Sequence, residues 1–152
     1  MTYPISTLAI DPGTKESAFA FAEYGVLTEA AYFSSANPPL RTISQFVTEL
    51  PQIYAGHKAI GNAEDILQLA RVVGQLEGTF RSQGAEITVY RPAQWKGQLP
   101  KPKHHKRVFD SGVLTPDEEK HWPHLVTYHD VREAICLLLF KLGRITREGT
   151  KR

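Results

Sequence analysis

The chain has 152 residues, of which 41% are hydrophobic, and its formal net charge at pH 7 is +2. This length predicts that residues 1–152 form a single domain, and the one cysteine, Cys136, excludes an intrachain disulfide or a multi-cysteine zinc site. Because the chain start lacks a signal-peptide pattern and no apolar run could span a bilayer, we expect a cytoplasmic protein without membrane contacts.

The first predicted element is the strand Ser6–Asp11, an apolar run that ends in one carboxylate and leads into a tight turn. In that turn Pro12 fixes φ, and Gly13 tolerates the positive φ that such turns often need. The strand holds Asp11 rigidly where the chain leaves the core. This position suits a functional acid, although an ordinary turn aspartate is an equally good interpretation of this stretch alone.

Five more elements follow in chain order. Strands over Ser17–Glu23 and Gly25–Ser34 complete an antiparallel three-strand meander with the first strand. A strand over Phe46–Leu50 places Glu49 at its end, before a proline. Apolar residues at helical spacing predict a helix over Ala63–Gln83, and a strand over Glu86–Tyr90 follows. The pattern therefore indicates an α/β fold in which βαβ-type elements follow a meander.

The last predicted element is a helix over Tyr128–Leu142, with a possible capping box formed by Thr127 and Asp130. Asp130 and Glu133 are three residues apart, so they project from nearly the same helix face. That spacing suits two carboxylates that share a divalent cation. Helix capping by Asp130 and solvation of Glu133 are the alternative interpretations.

Four carboxylates, Asp11, Glu49, Asp130 and Glu133, are therefore candidates for one catalytic and metal-binding site. If they converge, each close pair costs about 4 kcal/mol at an effective dielectric near 20, so a divalent cation is the natural compensation. Oxygen ligands favour Mg²⁺ or Mn²⁺ over zinc, and two such ions suit the hydrolysis of a phosphodiester.

Charge segregation gives a second signal, because Ile87–Phe109 contains no acid. The basic candidates for nucleic-acid binding in this segment are Arg91, Lys96, Lys101, Lys103, Lys106 and Arg107. Trp95 lies among them, and Pro100 and Pro102 are expected to keep part of the segment extended. Such a segment suits a phosphate backbone better than it suits a solvated loop. Tyr54 is a candidate for base stacking, with ordinary packing as the alternative.

The histidines at 121, 124 and 129 lie near two glutamates, but their spacing matches no strong zinc pattern. A zinc-stabilised structural protein is therefore only a minor alternative. His129 directly precedes Asp130. It is expected either to act near the metal site, as a ligand or proton carrier, or simply to begin the helix.

Five stretches in this order resemble small, phage-encoded members of the RuvC-type Holliday junction resolvases, within the RNase H-like nucleases. They are Ile10-Asp11-Pro12-Gly13-Thr14, Glu49-Leu50-Pro51-Gln52-Ile53-Tyr54, Asp65–Gly74, Pro92–Lys101 and His129–Ala134. The resemblance implies an RNase H-like fold with a mixed five-stranded sheet flanked by helices. It also implies a crossover junction endodeoxyribonuclease, active in DNA recombination, repair or phage DNA processing, that binds a four-way DNA junction as a homodimer and makes paired nicks.

By the same resemblance, the four carboxylates take the metal-binding roles and the lysines of the basic segment contact phosphates. The chain departs from the family in two ways. It leaves little room for a long first helix, and Glu133 stands where many members carry aspartate. Glu64 or Asp65 could replace Glu49 as the second acid. A nuclease acting on RNA or RNA–DNA hybrids, and a nucleic-acid-binding module without catalysis, are the alternative functions.

Overall fold

The computed structural model describes residues 2–51 and 63–152, which fold around a mixed five-stranded sheet. The strands are β1 (Ser6–Asp11), β2 (Glu16–Glu23), β3 (Val26–Ser34), β4 (Gln45–Glu49) and β5 (Glu86–Tyr90), in the order β3-β2-β1-β4-β5. The first three strands pair antiparallel, whereas β4 lies parallel to both β1 and β5. The predicted meander and mixed sheet are confirmed.

The central strand is β1, and all six of its residues are buried. Both of its edges are paired, since Ile10 lies opposite Phe19 of β2 and opposite Thr48 of β4. A continuous apolar run is what such a strand needs, because helices cover both faces of the sheet. Because β4 runs parallel to β1, the carboxyl ends of these two strands lie side by side.

In the part of the chain that the structure describes, five α-helices surround the sheet: α1 (Ala63–Ser82), α2 (Pro92–Trp95), α3 (Lys101–Asp110), α4 (Pro116–Glu119) and α5 (His129–Lys141). Helix α5 packs on the face of β1 and β2 that carries Ala9, Ala18 and Ala20, whose small side chains let the helix approach the sheet closely. Helix α1 contacts β4 and β5 on the opposite face of the sheet. Its Phe80 stacks on Phe46 there, in a core cluster separate from the one beneath α5.

The structure corrects three local predictions. The basic segment is not extended at Pro102 but forms α3, because proline is well tolerated in the first turn of a helix. Within the described residues no side chain caps α5, so the capping box from Thr127 and Asp130 is wrong. Gly13 does not adopt a positive φ. A Cβ there would lie 1.9 Å from the carbonyl oxygen of Glu16, so the turn needs glycine for the close approach of the backbone.

Among the described residues, no helix combines the length and the apolar character that crossing a membrane requires.

Candidate active site

Four acidic side chains come from three elements that meet at one edge of the sheet. Asp11 ends β1 and Glu49 ends β4, and the carboxyl ends of these neighbouring parallel strands lie next to each other. Asp130 and Glu133 lie in the first two turns of α5, which packs across β1. Together these residues form the carboxylate cluster.

Lys101, the first residue of α3, joins three members of the carboxylate cluster. Its Nζ lies 3.2 Å from Glu133 Oε2, 3.7 Å from Asp130 Oδ1 and 3.8 Å from Asp11 Oδ2. Burial alone would lower the pKa of this lysine, but the surrounding carboxylates, Asp11 foremost, raise it above its usual value. Lys101 is therefore a fully charged cation held by three carboxylates at the mouth of the site.

Glu133 is the most deeply buried member, at 1% exposure. Its Oε2 accepts a hydrogen bond from Lys96 Nζ at 2.8 Å, and its Oε1 lies 3.2 Å from His105 Nε2. Burial would raise the pKa of this carboxyl, but His105 and the two lysine ammonium groups hold it well below its usual range. Glu133 is thus an anion at neutral pH.

Asp11 behaves in the opposite way. It is also buried, and burial is the main cause that raises the pKa of its carboxyl well above the usual value. Lys101 lowers that pKa, while Glu133, Asp130 and Glu49 raise it further. The fold therefore holds Asp11 in a place where an additional positive charge would stabilise its ionised form.

Glu49 is oriented by the helix that follows β5. The indole Nε1 of Trp95 donates a hydrogen bond to Glu49 Oε2 at 2.6 Å, and Lys96 Nζ lies 3.2 Å from the same oxygen. His104 packs edge-on against the indole, with ring centroids 5.5 Å apart. Burial lowers the pKa of His104 to about 4, so this support for Trp95 is neutral at pH 7.

The donor set fits a hard divalent cation. All four acids present oxygen atoms, and three of them already surround a positive charge, which is the ligand chemistry that Mg²⁺ and Mn²⁺ prefer. Among residues 2–51 and 63–152, however, no three acidic, histidine or cysteine side chains are arranged closely enough to hold a metal ion. The ammonium groups of Lys96 and Lys101 lie between the carboxylates instead.

The remaining predicted residues lie outside the carboxylate cluster. Four of the basic candidates are exposed: Arg91, Lys103, Lys106 and Arg107. Lys106 pairs with Asp110 on the same helix.

The other predicted residues are two acids, one histidine and one tyrosine. Glu64 and Asp65 are exposed on α1, and Glu64 accepts a hydrogen bond from Gln68 on the same helix instead of joining the carboxylate cluster. His129 Nε2 lies 3.3 Å from Asp130 Oδ1. Tyr54 lies outside the described residues.

Lys96, Lys101 and His105 face the carboxylates, which the sequence pattern did not predict. Lys96 and Lys101 were expected to contact phosphates, yet Lys96 is buried between Glu49 and Glu133. One signal was available, because Lys101 and His105 are four residues apart and share a face once the segment is helical. The expectation of an extended segment concealed that spacing.

Comparison with known proteins gives the fold but no sequence relative. No protein-family model matches the chain, and no curated protein is significantly similar to it. Among solved structures, Thermus thermophilus RuvC in complex with a Holliday junction substrate matches with a TM-score of 0.58 and 14% identity, covering 89% of this chain and 91% of that one.

Two further structures agree with this result. Another Thermus thermophilus RuvC structure matches with a TM-score of 0.57 and 13% identity, over 89% of this chain and 92% of that one. The yeast mitochondrial Holliday junction resolvase matches with a TM-score of 0.57 and 12% identity, over 92% of this chain and 80% of that one. The predicted RNase H-like α/β fold, with a mixed five-stranded sheet, is therefore confirmed.

Proposed function

We propose that this chain is a divalent-metal-dependent endonuclease that resolves four-way DNA junctions by paired nicks, acting as a homodimer. The observation that carries this proposal is the convergence of Asp11, Asp130 and Glu133 on one cation, with Glu49 beside them. The solved structures that share the fold include resolvases, one of them bound to a junction, which supports the choice of substrate.

Asp11, Glu49, Asp130 and Glu133 are the residues that would hold Mg²⁺ or Mn²⁺. Such ions supply Lewis-acid activation of water and neutralise the charge that develops on a phosphodiester. Asp11 has the strongest need for an added cation, because its ionised form is destabilised by burial and by three neighbouring acids. Two ions per site would balance the four carboxylates better than the lysines alone.

The chain's own residues position the reacting groups. Lys96 holds Glu49 and Glu133 together, while Trp95 fixes the orientation of Glu49. In the proposed reaction, water would lose a proton as its oxygen bonds to phosphorus, the P–O3′ bond would break, and the leaving 3′-oxygen would take up a proton. His129 is placed to carry a proton near Asp130, because the two side chains are in contact.

The exposed basic residues supply the DNA contacts in this proposal. Lys103, Lys106 and Arg107 project from α3, the helix whose first residue enters the carboxylate cluster. Lys103 precedes the other two by three and four residues, so the three share the exposed face of α3, and a phosphate backbone bound along that face would approach Lys101 at the start of the helix. Such binding weakens steeply with salt, because each phosphate contact releases a condensed counterion. Tyr54 remains a proposed base-stacking residue.

The test is cleavage of a mobile four-way junction with and without Mg²⁺, with linear duplex and RNA–DNA hybrid as competing substrates. We expect paired, metal-dependent nicks in the junction alone. Asp11→Asn should abolish cleavage and retain junction binding. The matched control is Asp117→Asn, which changes an exposed aspartate away from the cluster and should cut at the wild-type rate. Cleavage by Asp11→Asn at the wild-type rate would refute the catalytic assignment.

One observation favours a second candidate, a nucleic-acid-binding module without catalysis. Lys96 and Lys101 already place positive charge inside the carboxylate cluster, so the fold does not depend on a metal to relieve all of its repulsion. This alternative predicts salt-sensitive junction binding and no product at any Mg²⁺ or Mn²⁺ concentration. The same cleavage assay therefore separates the two.

A further inference from the structure

A cavity of about 890 Å³ opens beside the carboxylate cluster, between the edge strand β3 and the segment that leads into α5. We call it the aromatic pocket. The residues that matter for its shape and chemistry are Ala30, Tyr32, Trp122, His124, Tyr128 and Asp130. Its volume lies in the range of pockets that bind small organic molecules.

Aromatic rings form one wall of the aromatic pocket. The rings of Tyr32 and Tyr128 lie with their centroids 5.7 Å apart, and the hydroxyl of Tyr32 donates a hydrogen bond to the carbonyl oxygen of Thr127 at 3.2 Å. This bond fixes Tyr32 against the segment that carries Tyr128. Ala30, which also lines the pocket, has a small side chain that takes up little of its space.

The aromatic pocket is continuous with the carboxylate cluster through Asp130. That side chain lines the pocket, and its Oδ1 also lies 3.7 Å from Lys101 Nζ within the cluster. A nucleotide whose phosphate is bound at the cluster therefore has its base within reach of the pocket.

We propose that the aromatic pocket binds one unstacked nucleobase next to the phosphodiester that is cut. This inference rests on the proposed function and adds a base-binding subsite to it. Flat rings stack on every base, so Tyr128 contributes affinity with little sequence preference. Glu16 and Asp130 at the rim accept hydrogen bonds from amino groups of a base, and His121 and Lys120 can donate to its carbonyl groups.

The rim also carries one apolar side chain, Leu125, which is 65% exposed, and the next residue along the chain, Val126, is 81% exposed. These residues would suit a second copy of the chain as well as a nucleotide. A docked protein surface, however, would bury the carboxylate of Glu16 away from water, at a considerable cost unless that surface supplied a partner. A base with amino groups avoids that cost, so the base is the better occupant.

The experiment is a binding cycle without divalent metal, using a fluorescently labelled four-way junction and junctions with one abasic nucleotide at each position flanking the branch point. Tyr128→Ala should weaken binding of the intact junction by about tenfold, the usual order for one lost base stack. Tyr128→Phe keeps the ring and should bind as the wild type does. The control is Tyr24→Ala. Tyr24 is an exposed tyrosine in the turn that follows β2, whereas Glu16, at the other end of that strand, lines the pocket.

At one abasic position, Tyr128→Ala and the wild type should bind equally, because the ring has lost its partner. Equal weakening by Tyr128→Ala at every abasic position, or no weakening at all, would overturn the base-binding assignment while leaving resolvase activity intact. A shift in oligomeric state by light scattering with Tyr128→Ala would assign the pocket to a second copy instead. If the wild type does not prefer junctions over duplex, the proposed function fails. Binding of single-stranded oligothymidine to the same variants then tests the base-binding assignment by itself.

Discussion

Two buried glutamates near opposite ends of α5 have very different partners. Glu118 and Glu133 are each 1% exposed. Glu118 accepts two hydrogen bonds from the Arg144 guanidinium, at 2.6 and 2.7 Å, and further bonds from the backbone N–H groups of Leu27 and Thr115. Glu133 is instead bound by two lysines and a histidine.

The difference separates a structural carboxylate from one that can change partners. A bidentate guanidinium and backbone amides have fixed positions, so Glu118 rigidly joins α4, the start of β3 and the end of α5. Lysine ammonium groups are point charges on flexible stems, and Lys101 is shared with Asp11 and Asp130. Equal burial therefore does not imply an equal role.

The largest expected effect is on activity at Glu133. Glu133→Gln removes a negative charge from the carboxylate cluster, so junction cleavage should fall by about a thousandfold, the order seen when one electrostatic contact to a reacting centre is lost. The free energy of unfolding should fall by less than the roughly 3–5 kcal/mol typical of a broken buried ion pair, because Lys96 keeps Glu49 and Lys101 keeps Asp11 and Asp130 as partners. Cleavage rates and chemical denaturation measure the two effects, and Glu148→Gln is the exposed control.

The second effect is on stability at Glu118. Glu118→Gln leaves the Arg144 guanidinium without its anionic partner in a buried site, which should lower the free energy of unfolding by about 3 kcal/mol. The cleavage rate of the folded variant should stay at the wild-type value. The neighbouring exposed glutamate gives the matched control, Glu119→Gln, which should be neutral. A stable Glu118→Gln variant with impaired cleavage would reverse the roles assigned to the two glutamates.

A smaller effect appears on acidification. The bonds from Arg144 and the backbone overcome burial and lower the pKa of Glu118 to about 2, from a usual value of 4.5. Because the folded-state pKa is depressed, the carboxylate stabilises the fold above pH 4.5, and this stability is lost as the pH falls toward 2. The stability difference between wild type and Glu118→Gln should thus shrink by about 2 kcal/mol between pH 7 and pH 3. A constant difference across this range would show that Glu118 does not titrate as described.

Much of the scaffold could be predicted from the sequence because its strands and long helices are strongly patterned. The apolar run of β1 and the helical spacing in α1 and α5 placed these elements within a residue or two of their observed bounds. The strand-end positions of Asp11 and Glu49 followed from the same patterns. Which strands are neighbours could not be derived from spacing, and the pairing of β1 with β4 is what brings those two acids together.

The basic segment was harder, because the sign of a charge does not reveal what it faces. A run with no acids predicts a surface for phosphates, and for Lys103 and Lys106 the structure places the side chains at the surface. For Lys96 and Lys101 the attraction of acids that are distant in sequence outweighs solvation, and both turn inward. Only the tertiary fold determines which lysines meet the carboxylate cluster.

The smallest expected effect tests whether Lys101 is an exchangeable partner. Lys101→Ala removes the cation that Asp11, Asp130 and Glu133 share, so their mutual repulsion should increase the affinity of the carboxylate cluster for Mg²⁺. We expect about tenfold tighter Mg²⁺ binding by calorimetry. Saturating Mg²⁺ should therefore raise the free energy of unfolding of the variant by about 1.4 kcal/mol more than it raises that of the wild type. Lys103→Ala, on an exposed position of the same helix, should leave Mg²⁺ affinity unchanged. Unaltered affinity in Lys101→Ala would mean that this lysine, like Arg144, is a fixed structural partner, and the contrast between the two glutamates would then lie in Lys96 alone.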